Sequence, residues 1–130
     1  MALASTPVSE PLTFEKFSGC LLEDDIIYMR YFENQEIGEK EIELGFELHD
    51  ILEVDSNVKR IIHCESYVSI TRQARELVQL KGRPAKAEAY VIPALSQKIL
   101  FTVYSKLRKR NHPLKAFDNL EDAVEWVNQF

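Results

Sequence analysis

Hydrophobic residues along this chain follow two different periods, one typical of β-strands and one typical of α-helices. Near the start, two runs rich in branched and aromatic residues, 14–22 and 26–32, are separated by the acidic triplet 23–25. This arrangement predicts a β-hairpin. In the second run, apolar side chains alternate onto both faces of the strand, which indicates burial on both sides.

Residues 36–55 fit both periods. Apolar residues alternate from Ile42 to Leu48 as in a strand, whereas Leu44, Leu48 and Ile51 also follow helical spacing. Glutamates crowd the beginning of this segment, where the positive end of a helix dipole favours them. We therefore predict a helix that stops near residues 55–57, with a strand as the alternative.

The rest of the chain alternates strand patterns with helix patterns. Strands are predicted at 58–65, 87–92 and 114–117, and helices at 71–80, 96–110 and from Asn119 onward. Strands that alternate with helices form right-handed βαβ units on a mainly parallel sheet. The prediction is an α/β fold: a mixed, mainly parallel sheet of about five strands, with an N-terminal antiparallel hairpin and about four helices.

The chain has 130 residues, the usual size of one domain. Residues 1–11 contain two prolines and several small polar residues, with no apolar pattern to bury. We therefore expect a flexible lead-in over residues 1–11 and a single domain over residues 12–130.

Composition and charge disfavour several kinds of partner. Apolar residues make up 45% of the chain and charged residues 28%, as in globular proteins. The formal net charge of -5 disfavours binding to nucleic acid and to anionic membranes. There is neither a secretory signal pattern nor an apolar run of the roughly 18 residues that a spanning helix needs, so we expect a cytoplasmic protein.

No motif for metal, nucleotide or catalytic chemistry occurs. Three histidines, at positions 49, 63 and 112, lack the spacing of a metal site, and the four glycines form no phosphate-binding loop. The serines do not lie in a nucleophile elbow. Cys20 and Cys64 fall inside apolar strand patterns, which indicates buried, reduced thiols. We expect no cofactor and no enzymatic activity.

Charged and aromatic residues on the predicted helices have structural explanations. Arg72 and Arg75 lie at the positive end of a helix, which predicts a salt bridge with Glu76, Glu65 or Glu88, or a bound anion. Ser69 or Thr71 can cap the same helix. The basic run 106–110 suits the negative end of a helix better than it indicates an acidic partner. The aromatic residues Phe101, Tyr104, Trp126 and Phe130 are interpreted as core rather than as the lining of a ligand pocket.

Three stretches carry a resemblance to a known superfamily. They are residues 69–75 (SITRQAR), Val91-Ile92-Pro93 followed by 96–101, and Lys115-Ala116-Phe117 followed by Glu121, Ala123, Glu125 and Trp126. In this order and spacing, across residues 26–127, the chain resembles STAS-like, SpoIIAA-like domains, in particular an uncharacterised bacterial branch of them. The resemblance implies a non-catalytic role in protein interaction or ligand sensing.

One departure from that superfamily concerns its phosphorylated serine. The antagonists of this type carry the serine in an Asp-Ser-Ser/Thr-Gly-like turn before a helix, whereas residues 65–71 here (ESYVSIT) have neither the glycine nor the Asp-Ser pair. Candidates for a switch or contact surface are therefore chosen by position alone: Ser66, Ser69, Thr71, Arg72 and Arg75.

Two functions from different classes follow. The first is a regulatory module that binds a still unidentified protein partner through the turn at residues 65–72. The alternative is a carrier or sensor for a small apolar or lipid-like ligand held between helices and sheet, and an enzyme ranks third. The sequence does not determine the oligomeric state.

Overall fold

The computed structural model describes residues 7–94, 97, 101 and 112–130. In chain order the strands are β1 (Leu12–Thr13), β2 (Phe17–Leu22), β3 (Ile26–Tyr31), β4 (Glu36–Ile37), β5 (Lys59–Cys64), β6 (Ser69–Ile70), β7 (Glu88–Val91) and β8 (Leu114–Phe117). The helices are α1 (Glu39–Ile51), α2 (Arg72–Lys81) and α3 (Leu120–Val127).

Six strands form the main sheet, in the order β1-β2-β3-β5-β7-β8. The predicted hairpin is confirmed: β2 and β3 are antiparallel, and a short 3-10 turn at Glu23–Asp25 joins them. From β3 to β8 all neighbouring strands are parallel, as the βαβ pattern predicts. The sheet therefore has the five expected strands and the two-residue β1 at its edge.

The ambiguous segment 36–55 contains a helix, so the strand alternative is wrong over most of it. α1 begins at Glu39 instead of near 36, because Glu36–Ile37 forms β4 and pairs in parallel with β6. The Gly38 backbone N–H, just before the helix, donates to Glu41 Oε1 at 2.8 Å. A glutamate near the start of the helix thus binds a backbone N–H directly, in addition to any effect of the dipole.

The two other described helices begin at side-chain caps. Thr71 Oγ1 accepts from the Ala74 N–H at 3.1 Å at the start of α2, and Asn119 Oδ1 accepts from the Asp122 N–H at 2.9 Å at the start of α3. Both starts confirm the predicted positions. The helix predicted at 96–110 lies almost entirely outside the described residues.

The sheet separates two apolar clusters. On one face Ile27, Met29 and Tyr31 of β3 pack under α1 and α2. On the other face Ile26 and Ile61 pack under α3. Apolar residues on both sides of β3 match the predicted two-sided burial.

Part of the predicted lead-in contacts the sheet. The Val8 N–H donates to the Leu21 carbonyl at 2.8 Å, and Ser9 Oγ accepts from the Leu21 N–H at 2.8 Å. The domain boundary at residue 11 stays a prediction. In the parts of the chain that the structure describes, no helix has the length and apolar character needed to span a membrane.

Candidate functional site

A cleft lies where the parallel strands β3, β5 and β7 reach their carboxyl ends. Its volume is about 410 Å³, and its lining comes from the residues at and just after these strand ends: Arg30, Glu33, His63, Glu65, Ser66 and Pro93. Small-molecule sites typically measure about 300–1,000 Å³. We call this feature the carboxyl-edge cleft.

The strand register places the polar residues of the cleft side by side. Ser18, Arg30 and His63 are directly paired neighbours on β2, β3 and β5. Because side chains alternate along a strand, Arg30 and His63 lie on the same face as Ile26 and Ile61, the face on which α3 packs. That face is therefore apolar towards the amino ends of β3 and β5 and polar towards their carboxyl ends, whereas Val91 and Phe117, the next residues in the register, are apolar.

Tyr28 holds the imidazole of His63 in place. The phenol oxygen and His63 Nδ1 are 2.7 Å apart. Burial raises the pKa of Tyr28 to about 12. Burial, with a further contribution from the Arg30 guanidinium, lowers the pKa of His63. At neutral pH the pair is thus a protonated phenol beside a neutral imidazole.

Glu65 is neutralised inside the cleft. Its carboxylate forms an ion pair with the guanidinium of Arg30, and its Oε1 accepts from the Glu33 N–H at 2.9 Å. The side chain of Glu65 is mostly buried, whereas half of the Arg30 side chain is exposed, at 51%. Arg30 is therefore the more solvent-exposed partner of this ion pair.

Ser66 and Tyr67 begin the loop that leads to α2. The Ser66 carbonyl accepts from the Asn34 N–H at 3.0 Å, and Ser66 lines the cleft. Tyr67 has a left-handed backbone, with φ of 62°, and 75% of the residue is exposed. Bulky residues rarely adopt this conformation, and sites that hold one are often functional.

The other predicted switch residues lie beyond the cleft. The Ser69 N–H donates to the Gln35 carbonyl at 3.0 Å, and the Thr71 N–H donates to the Ile37 carbonyl at 2.9 Å, so both residues belong to the β4–β6 ladder. Thr71 is the helix cap, which settles the choice between Ser69 and Thr71. Of the three candidate hydroxyl residues, only Ser66 is in the cleft lining.

Arg72 and Arg75 make ordinary local contacts. Arg72 Nε donates to Glu76 Oε1 at 3.0 Å, as the salt-bridge prediction requires. Arg75 Nη1 donates to the Ile70 carbonyl at 3.2 Å, and Arg75 forms no ion pair among the residues that the structure describes. Neither arginine lines the carboxyl-edge cleft.

A buried polar network at the opposite end of the sheet was not predicted. Arg60 Nη1 contacts Glu88 Oε1 at 3.0 Å, Arg60 Nε donates to His49 Nε2 at 3.2 Å, and His112 Nε2 lies 2.9 Å from Glu88 Oε1. Arg60 Nη2 also donates to the Arg83 carbonyl at 2.8 Å. The sequence contains one signal for this network. Arg60 and Glu88 are charged residues near the starts of two apolar strand patterns. Only the register, which pairs Arg60 with Glu88, shows that these charges meet.

Both cysteines are free thiols. Cys20 is buried and Cys64 is half-buried. Burial raises the pKa of both thiols, that of Cys64 to about 12. A thiol that stays protonated is a poor nucleophile and a poor metal ligand, so the structure agrees with the expected structural role. Within the described ranges, no three His, Cys, Asp or Glu side chains come together as a metal site.

Trp126 packs between two aromatic rings. Its ring centroid lies 5.6 Å from that of Phe117 and 5.0 Å from that of Phe130. Trp126 also packs against the apolar cluster under α3. These contacts support the core interpretation of this tryptophan.

Comparison with known proteins gives a family and a fold. A family model described as "Domain of unknown function (DUF7793)" matches residues 20–130. The crystal structure of an uncharacterised protein from the DUF3478 family, with a SpoIIAA-like fold, from Shewanella loihica PV-4, is 14% identical and superposes with a TM-score of 0.62. The match covers 92% of this chain and 99% of the other. None of the curated proteins matches the chain.

Proposed function

Because the chain belongs to the DUF7793 family and has a SpoIIAA-like fold, we propose that it is a non-catalytic module that binds a protein partner. The proposed surface is the contact loop, which we define as residues 65–72. The exposed, left-handed Tyr67 is the observation that carries this proposal.

Tyr67 has the properties of an interface anchor. Its backbone conformation costs about 1 kcal/mol or more in the free protein, and an aromatic ring that is 75% exposed recovers little of this by burial. Tyrosine is among the residues that most often dominate protein interfaces. Ile70, three residues later in the contact loop, is a second exposed apolar residue.

The contact loop is held in shape from several sides. Backbone hydrogen bonds join Ser66 to Asn34 and Ser69 to Gln35. Gln97 Nε2 donates to the Val68 carbonyl at 2.8 Å. A loop that is already ordered loses less conformational entropy when it binds, so this arrangement favours a tight contact.

We further propose that the contact loop can be switched by phosphorylation. Ser66, Ser69 and Thr71 are the hydroxyl candidates. Ser69 suits this role best, because it is exposed and its hydroxyl does not cap α2. Arg72 and Arg75 follow within six residues and supply guanidinium groups that can pair with a phosphate.

The decisive experiment replaces Tyr67 in a binding measurement. A partner captured from the native cell would be purified, and its Kd measured for the wild type, Tyr67→Gly and Leu80→Ala. Glycine tolerates the left-handed backbone, so Tyr67→Gly should unfold at no lower denaturant concentration yet bind at least tenfold more weakly.

Leu80→Ala is the matched control. Leu80 is 82% exposed at the far end of α2, so its removal should leave the Kd unchanged. Equal affinity of the wild type and Tyr67→Gly would reject the contact loop as the binding surface.

The phosphorylation switch is tested with the same partner. Ser69→Asp should change the Kd about tenfold. Unchanged affinity for the Asp variants of Ser66, Ser69 and Thr71 would reject the switch.

The apolar-ligand alternative remains a hypothesis with its own test. Phe17, Leu48 and Ala74 belong to the side chains packed between α1, α2 and the sheet, so a ligand there would have to displace core residues. Native mass spectrometry of protein purified from its source cell would detect a co-purified lipid. A co-purified lipid would favour the carrier function over the interaction module.

A further inference from the structure

We propose that the carboxyl-edge cleft binds a small zwitterion of the amino-acid class. Arg30, His63 and Ser66 would hold its carboxylate, and Glu33 would hold its ammonium group. The cleft shares Glu65 and Ser66 with the contact loop, but the partner contact is carried by Tyr67, which is not in the cleft lining, so each proposal can fail without the other.

Arg30 supplies the main group for the carboxylate. A guanidinium carries five N–H donors. Here Nε and Nη2 point to Glu65, which leaves Nη1 without a partner in the described part of the chain. Half of the side chain is exposed and Arg30 lines the cleft, so we assign the Nη1 donors to a carboxylate bound there.

His63 supplies a second donor. Its neutral imidazole carries one N–H. When Tyr28 donates its phenol proton to Nδ1, across 2.7 Å, the imidazole proton is on Nε2. Because His63 lines the cleft, Nε2 can donate to a bound group while Tyr28 fixes the ring. Ser66 also lines the cleft, and its hydroxyl would be a third donor.

The charges of the cleft distinguish a zwitterion from a simple anion. Arg30 and Glu65 neutralise each other, and His63 is neutral. Glu33 therefore remains as the uncompensated carboxylate among the lining residues. A free anion would be repelled by Glu33, whereas a ligand with both a carboxylate and an ammonium group satisfies both halves of the cleft. The volume of about 410 Å³ accommodates such a molecule.

Isothermal titration calorimetry with a panel of the free L-amino acids tests this proposal. At least one should bind saturably to the wild type, while acetate and ethylamine at the same concentrations should bind at least tenfold more weakly. Arg30→Gln and Glu33→Gln should each weaken the amino acid at least tenfold. Glu33→Gln should not weaken acetate, because only the ammonium half is changed.

Two controls separate the site from general charge effects. Arg72→Gln removes an equally charged, exposed arginine outside the cleft, and Glu36→Gln removes an exposed glutamate outside it. Both should bind the amino acid as the wild type does. Absence of saturable binding across the whole panel, or equal binding by Arg30→Gln and the wild type, would overturn the proposal. Neither result would affect the contact loop.

Discussion

The site of His49 strongly favours the neutral imidazole. Its Nδ1 contacts the Gly45 carbonyl at 2.7 Å and must donate there, while Nε2 accepts from Arg60 at 3.2 Å. A second proton would have to sit on Nε2, facing an N–H donor that already carries a positive charge. Burial, followed by the charge of Arg60, accordingly lowers the pKa of His49 to about 4.

This lowered pKa makes the folded state sensitive to acid. In the unfolded chain His49 takes up a proton near the ordinary histidine pKa of 6.5, whereas in the folded chain it does so only near 4. Protonation therefore favours the unfolded state between these two values. The stability that neutral His49 contributes is fully present above about pH 6.5 and is lost as the pH falls towards 4. Between pH 7 and pH 4 the free energy of unfolding should fall by roughly 3 kcal/mol more in the wild type than in His49→Gln. Urea unfolding at pH 7, 5.5 and 4 measures the difference. Parallel pH profiles would contradict this account of His49.

The ion pairs of Arg60 and Arg72 should contribute differently to the free energy of unfolding. The side chain of Arg60 is 6% exposed and that of Arg72 is 80% exposed. Arg60→Met leaves Glu88 buried without its guanidinium, and we expect it to destabilise the protein by about 3–5 kcal/mol. Arg72→Met should change the stability by less than about 1 kcal/mol. Chemical denaturation of both variants measures this contrast, and similar losses in the two would show that burial of the pair does not matter.

At the scale of elements, the sequence predicts most strands and helices because each has an apolar pattern of at least four residues. The hairpin, α1, α2, α3, and the strands β5, β7 and β8 all have such patterns. The short ladder of β4 and β6 could not be predicted, because two-residue strands have no period and Glu36 pairs with Ser69, far along the chain. The carboxyl-edge cleft could not be predicted either, because it also depends on pairing between residues that are far apart in the sequence. In the sequence, Arg30 and His63 belong to two separate strand patterns, and only the register of the sheet shows that they are neighbours.

The start of α2 gives a prediction at this scale. Thr71→Ala removes the hydroxyl that accepts from the Ala74 N–H, and we expect it to lower the free energy of unfolding by about 1 kcal/mol. Ser69→Ala, two residues earlier, removes an exposed hydroxyl and should cost less than about 0.5 kcal/mol. Thermal and urea unfolding of the two variants compare them. A larger loss for Ser69→Ala would move the cap to Ser69.

For the whole molecule, the two faces of the sheet differ in the described residues that pack on them. One face is packed under helices, and the other carries both an apolar cluster and the carboxyl-edge cleft. α1 and α2 cover the first, and Gly19 permits this close packing, because a Cβ there would lie 2.3 Å from Leu48 Cδ2. α3 packs on the apolar part of the second face and contributes none of the described lining residues of the polar cleft. The sequence predicts the layers through the alternation in β3, but the division of the second face depends on where α3 sits, which no local pattern encodes.

The hydrogen bonds of Val8 and Ser9 give a prediction for two truncated proteins. Deletion of residues 1–11 removes the backbone and side-chain hydrogen bonds that Val8 and Ser9 make to Leu21. At about 0.5–1.5 kcal/mol for each hydrogen bond, the Tm should fall by several degrees. Deletion of residues 1–6 alone keeps these bonds and should leave the Tm unchanged. Equal Tm values for both truncated proteins would support the boundary at residue 11.

The β4–β6 ladder joins the beginnings of two helices. α1 starts two residues after Ile37, α2 starts two residues after Ile70, and these two isoleucines are paired. The Thr71 N–H, bonded to the Ile37 carbonyl at 2.9 Å, extends the connection into the cap of α2. Because neither helix start can move away without breaking this ladder, the first turns of α1 and α2 should open together. Amide hydrogen exchange would then show one shared opening rate for both turns, and a molecule bound at the contact loop would slow exchange in α1 without touching it.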